Sequence, residues 1–216
     1  MISPKQAALL IIDMQYGFVE PSSPLCIKGA ADTVETCAAV LAKARELQMP
    51  IVHVTREYAA DGSDVEAVRY AVWAADGKPL SAACENLSSG NEVAPLAPID
   101  GEYRITKPRF SAFFATKLDL LLRRLGVTCV VLMGTTTPNC IRTTCYDALS
   151  LDYNVAVLED CTSSRTPEVQ AANIDDMRTI GAHIFSSDEF LDHGTTLVPD
   201  VVNDVRAEMV EFANED

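Results

Sequence analysis

No two cysteines in this sequence stand as Cys-x-x-Cys, and the seven present, scattered from Cys26 to Cys161, are odd in number. That pattern argues against a thiolate zinc site and a disulfide framework, and for a reducing compartment. No apolar run approaches the roughly 20 residues needed to cross a bilayer. The opening Met1-Ile2-Ser3-Pro4-Lys5-Gln6 lacks the charged-then-apolar layout of a signal peptide. A cytoplasmic location is the expectation. Positive charge is scarce too: 17 Lys and Arg face 31 Asp and Glu, a formal net charge of −14. So acidic a surface repels phosphate backbones and anionic membranes, so neither nucleic acid nor membrane is expected as a partner. A small molecule remains, because net charge says nothing about the inside of a pocket. Repeats and linkers are absent as well, and the chain reads as one domain over residues 1–216.

What is present is a regular alternation. Six apolar, β-branched runs occupy residues 7–12, 51–55, 103–106, 129–133, 155–158 and 183–185. The stronger ones are continuous, as in parallel strands covered on both faces. Helical spacing lies between them, over residues 32–48, 111–125 and 167–180. The last has Thr166 as N-cap, Pro167 at its first position and Gly181 just past its end. Strand alternating with helix predicts an α/β fold with a parallel sheet and right-handed crossovers. Residues 57–99 are irregular, with a short helix expected at 64–73 and a long excursion around it. In the tail, Val201, Val202, Val205, Met209 and Phe212 share one face, for packing on the domain or on a partner subunit.

Function in an open parallel sheet gathers at the carboxyl ends of the strands. Asp13 ends the first run, Lys107 follows the third, and Cys140 lies just beyond the fourth. With Thr137 as N-cap and Pro138 first in the helix, Cys140 falls in the first turn. Free N–H groups and the helix dipole there favour thiolate over thiol, and could hold an oxyanion. Against this stands the commoner use of a buried cysteine as inert packing. Asp13 suits a base that moves the thiol proton, or an ordinary turn residue. Lys107 would normally be a solvated charge, but Pro108 holds it extended and fixes its direction.

Three segments carry a resemblance. They are Ile11-Ile12-Asp13-Met14-Gln15, then Ile105-Thr106-Lys107-Pro108-Arg109-Phe110-Ser111-Ala112-Phe113, then Gly134-Thr135-Thr136-Thr137-Pro138-Asn139-Cys140-Ile141-Arg142-Thr143-Thr144. In this order, over nearly the whole chain, the sequence resembles the isochorismatase-like cysteine hydrolases. The resemblance implies a three-layer α/β sandwich of Rossmann-like topology, with a six-stranded, mainly parallel sheet flanked by helices. It implies homodimers or homotetramers and no cofactor. It makes Asp13 the base, Lys107 its electrostatic partner and Cys140 the nucleophile. It also implies a cis Thr135–Thr136 peptide, which turns the Thr136 N–H into an oxyanion hole shared with the Cys140 N–H.

Nicotinamidases of this superfamily bind a metal through Asp-x-His after the second strand. Here that place reads Thr55-Arg56-Glu57-Tyr58, and the nearby His53 lies inside the strand. No metal is expected, and His53 is read as core. The residues around 56–64 and 107–114 look closer to the branch acting on ureido and carbamoyl compounds. Phe18, Arg56, Trp73, Phe110 and Asn139 are the expected substrate-pocket residues, with Arg56 able to grip a carboxylate. Its bland alternative is an ion pair with Glu57 or Asp64. The expected reaction is cleavage of a small amide, ureide or carbamoyl C–N bond. Rivals are vinyl ether hydrolysis, nicotinamidase-like chemistry, non-catalytic binding, and a redox pair of Cys140 with Cys145, whose five-residue spacing aligns poorly on a helix.

Overall fold

A computed structural model describes residues 1–213; the last three residues of the expected 1–216 unit lie outside the described residues. Six strands form one all-parallel sheet: β1 (Ala7–Ile12), β2 (Ile51–Arg56), β3 (Tyr103–Lys107), β4 (Cys129–Thr135), β5 (Asn154–Ser163) and β6 (His183–Phe185). Their spatial order is β3-β2-β1-β4-β5-β6. The central pair, β1 and β4, is buried at every position. That is why those segments read as unbroken apolar runs: with both faces covered, no side faces water.

Alternate residues feed two cores. Leu9, Ile11, Val131 and Met133 pack with Cys37, Val40 and Leu41 of α2 (Val34–Glu46). Leu10, Ile12, Val130 and Leu132 pack on the other face. There they meet α4 (Leu118–Arg124), α5 (Arg142–Ser150) and α6 (Pro167–Thr179). Two short helices, α1 (Tyr16–Val19) and α3 (Tyr70–Ala75), belong to the region over the strand ends. The helices α7 (Ser187–His193) and α8 (Val201–Ala213) close the chain. At the start of α6, Thr166 Oγ1 accepts the Val169 N–H at 3.3 Å, the cap that its sequence suggests.

Several expectations need correction. Only Leu118–Arg124 of the segment 111–125 is helical. Ser111 Oγ accepts the Phe113 N–H, and the Thr116 hydroxyl donates to Ala112 O while accepting from Leu118 N. These local side-chain bonds give the backbone an alternative to helix, and Phe114 is left exposed. The short helix expected at 64–73 starts only at Tyr70, because Asp64 Oδ1 accepts the Ala59 N–H and ties its segment into a loop. In the tail, Val201, Val205, Met209 and Phe212 are all exposed. The helix is tethered at its start instead, where Asn154 Nδ2 donates to Asp200 and the Val202 N–H donates back to Asn154 Oδ1. Packing of that face on its own domain is therefore not what the chain does.

The strand order reverses direction between β1 and β4, one going outward through β2 and the other through β5. Such a switch point leaves a crevice beyond the carboxyl ends of the two strands. Asp13 lies at the end of one and Cys140 just past the end of the other.

Candidate active site

Asp13 takes the first residue position beyond β1 with φ +54°, a left-handed conformation that Asp tolerates better than most residues. Its N–H still donates to Val54 O at 2.8 Å, so the strand pairing holds up to the bend. The side chain is buried and its Oδ2 lies 2.8 Å from Lys107 Nζ. Neither carboxylate oxygen accepts a well-aligned hydrogen bond. Lys107, the last residue of β3, is fully buried. Its ammonium donates to Arg109 O at 3.2 Å and to Cys140 Sγ at 3.4 Å, besides the ion pair with Asp13.

Cys140 sits in a π-helical turn, Thr137–Ile141, that leads into α5. The turn follows a cis Thr135–Thr136 peptide. Thr137 is not the cap: its hydroxyl donates to Ser163 O at 2.9 Å, and Thr136 stands at the N-cap position without a side-chain cap bond. The expected thiolate is corrected as well. Burial, then the charge of Asp13, push the Cys140 thiol up to about 11, against the opposing pull of Lys107 and Arg56. A desolvated site next to a carboxylate disfavours a second negative charge more than a helix end favours it. The resting group is a thiol beside a base.

Arg56 ends β2, one strand over from Asp13 and in register with Lys107. Its neighbour is neither Glu57 nor Asp64. Nη1 donates to Glu66 Oε1 at 2.6 Å and to the Tyr58 hydroxyl at 2.7 Å, and that hydroxyl donates on to Glu66 Oε2 at 2.9 Å. The Gln15 amide clamps the Arg56 backbone from both sides, accepting its N–H at 2.7 Å and donating to its carbonyl at 2.9 Å. Burial works against the Arg56 cation, but the carboxylates of Asp13 and Glu66 near it help raise its pKa overall. Burial and Glu66 push the Tyr58 hydroxyl up to about 12, so it stays a donor at any ordinary pH. Against the cost of burial, Arg56 and Tyr58 hold the Glu66 carboxyl below its usual range.

These residues open on a cavity of about 400 Å³. Phe18, Arg56, Trp73, Phe110 and Asn139, the five residues expected there, all border it, together with Asp13, Thr136 and Cys140. Trp73 is buried, with its indole N–H donating to Pro79 O at 2.9 Å. Leu25, Tyr58, Val65 and Val72 also line the cavity, and Glu66 braces Arg56 from behind; none of these was read from the sequence. Except for Val72 on α3, they come from irregular segments, and only Gln15, inside the first motif, left a local signal.

His53 lies inside β2, fully buried, with Nδ1 2.8 Å from Glu92 and Nε2 2.9 Å from Glu102. Both ring nitrogens are thus engaged on the face of the sheet that carries α2. Among the described residues no group of three or more His, Cys, Asp or Glu is arranged to hold a metal ion.

In strand order the chain is an open, doubly wound α/β domain, and its reactive side chains meet where a hydrolase of that architecture would hold them. It belongs to the isochorismatase family, whose domain matches residues 7–189. A protein of Arabidopsis thaliana described as a probable inactive nicotinamidase is 40% identical over 182 residues, covering 82% of this chain and 90% of that one. The maleamate amidohydrolase of Pseudomonas putida is 35% identical over 186 residues, covering 80% and 79%. The crystal structure of an isochorismatase family protein from Desulfovibrio vulgaris superposes with a TM-score of 0.82 at 44% identity, covering 87% and 97%.

Proposed function

We propose that this chain is a cysteine amidohydrolase that cleaves the C–N bond of a small amide or ureide through a thioester. The observation that carries the reading is the Lys107 ammonium bridging the Asp13 carboxylate at 2.8 Å and the Cys140 thiol at 3.4 Å, two groups that line the same cavity. Because burial keeps Cys140 protonated at rest, attack on a carbonyl requires proton removal in the same step. Asp13, with no well-aligned hydrogen bond on either oxygen, is the acceptor within reach. The thiolate adds to the carbonyl carbon, and the oxyanion rests on the N–H groups of Thr136 and Cys140. Asp13 then returns the proton to the departing nitrogen, and Lys107 offsets the charge that moves between thiol and carboxylate. Water, deprotonated by Asp13, attacks the thioester, and the acid leaves with the thiol restored. The amidohydrolase activity of the Pseudomonas putida relative is consistent with this chemistry.

The test is ammonia release from a panel of primary amides, ureides and carbamoyl amino acids. Cys140→Ala is expected to lower turnover by at least about 10³-fold, as loss of a nucleophile does, with an unchanged circular dichroism spectrum. Full activity in that variant would refute the thioester route and favour ether hydrolysis with Asp13 as general acid.

A further inference from the structure

β5 changes register on its way to the site. Leu132 of β4 pairs with Val157, yet Gly134, two residues on, pairs with Thr162, five residues on, so β5 carries three extra residues there. Glu159 and Asp160 face outward in this detour, and the chain returns buried as Cys161, Thr162 and Ser163. The detour is fastened by the two helices that follow. The Gln170 amide of α6 donates to Thr162 Oγ1 at 2.8 Å and to Glu159 O at 3.2 Å. Asp160 accepts both the N–H and the hydroxyl of Ser187 in α7. Irregular pairing of this kind gives up ladder bonds and is found beside active sites, where it re-aims a residue. Its result here is Ser163 set beside Thr135.

Ser163 grips three consecutive threonines of the segment that leads to Cys140. Its carbonyl oxygen accepts the hydroxyls of Thr136 at 3.2 Å and Thr137 at 2.9 Å, one for each lone pair. Its own hydroxyl donates to Thr135 Oγ1 at 2.9 Å. Thr135, Thr137 and Ser163 are buried, so these bonds are made away from water, where leaving them unmade is costly. Thr136 O in turn accepts the N–H groups of Asn139 at 3.1 Å and Ile141 at 3.3 Å, the residues on either side of Cys140. Ser163 is not among the residues that border the cavity, whereas Thr135 and Thr136 are, so it reaches the site through the threonines. Donors stabilise an oxyanion only when the backbone carrying them is fixed before the charge appears. We infer, resting on the thioester route proposed above, that Ser163 is a positioning residue: it holds residues 135–137 so that the Thr136 and Cys140 N–H groups converge on the oxyanion.

The experiment uses three variants. Thr137→Val removes a hydroxyl that Ser163 holds, Thr137→Ser keeps it, and Ser163→Ala cuts only the bond to Thr135. In amide hydrolysis Thr137→Val is expected to lower kcat by at least about tenfold with KM within about twofold, as for a loss confined to the transition state. Thr137→Ser should restore most of that rate. A second arm needs no turnover. Butanal adds to the Cys140 thiol as a thiohemiacetal: the S–C bond forms, and the carbonyl oxygen takes the proton that sulfur loses. That oxygen occupies the oxyanion position. Protection of Cys140 from iodoacetamide, read by mass spectrometry, should need at least about fivefold more butanal in Thr137→Val, with the alkylation rate in its absence within about twofold of wild type. Unchanged kcat and protection in Thr137→Val overturn the assignment and leave the amidohydrolase reading standing. A loss that Thr137→Ser does not rescue also overturns it. Should Thr137→Val fail to fold, Ser163→Ala decides, by a kcat at least about threefold lower at unchanged KM. If no amide is hydrolysed but butanal protects wild type far better than Thr137→Val, the amide reading fails and the positioning role holds. No protection in wild type refutes the role.

Discussion

The charge on Asp13 does two opposed things to Cys140. As a neighbouring anion it raises the thiol pKa, and as a carboxylate with open lone pairs it is the group that can take the proton. Asp13→Asn separates these effects. The thiol then loses the neighbour that holds it up, so alkylation of Cys140 by iodoacetamide at neutral pH should become faster, followed by mass spectrometry of that residue. Amide turnover in the same variant should fall by about 10²–10⁴-fold, the range for losing a general acid-base group. Slower alkylation would mean that Asp13 is not charged beside the thiol. Cys145, five residues on and pushed up to about 12 by burial and Asp176, should remain unlabelled in both proteins. None of this could be read from the chain alone. A cysteine near a helix start suggests a low pKa, and burial, which a sequence does not state, reverses the direction.

At the level of elements, the site depends on how closely β4 approaches β1. Gly134 has φ +115°, and a Cβ there would stand 2.1 Å from Ile12 O. The β4–β5 register also shifts between Leu132 and Gly134, so the strand turns before it delivers Thr135, Thr136 and Cys140. Gly134→Ala combines a disfavoured backbone conformation with a backbone clash. We expect a loss of more than about 2 kcal/mol in unfolding free energy, measured by urea denaturation. A variant as stable as wild type would show that β4 can move without cost. The strands themselves were legible because burial on both faces leaves continuous apolar runs. The apolar spacing over 111–125 is real but overstates the helix, because the Ser111 and Thr116 hydroxyls compete for the backbone.

Across the whole molecule, a cluster around Glu102 is expected to contribute acid lability. Burial alone would raise the Glu102 carboxyl, but hydrogen bonds from Arg45, the Ile99 N–H and His53 hold it down, from an ordinary 4.5 to about 2. A carboxyl whose folded value is depressed adds stability above its unfolded value. That contribution is lost as pH falls from about 4.5 toward about 2. The melting temperature should therefore drop across this window. Glu102→Gln should be less stable at neutral pH and show a shallower drop; a curve parallel to wild type would exclude Glu102 as the source. This cluster links β2 to Arg45 of α2 and to the Glu92 segment, which also pairs with Gln15. Among the described residues no helix is long and apolar enough to cross a membrane.

The sequence by itself determined the alternation of strands and helices, and the family. It also placed Asp13, Lys107 and Cys140 at strand ends, because each of these features is written within a few consecutive residues. Tertiary structure alone decided what those residues experience. Residues 41 to 75 positions apart meet at Arg56, Gln15 and Gly90, and 39 to 49 positions separate His53 from its two carboxylates. Burial, ion pairing and the bracing of Arg56 are properties of such long-range packing. They set the protonation of the thiol and the shape of the cavity, and no local pattern of residues encodes them.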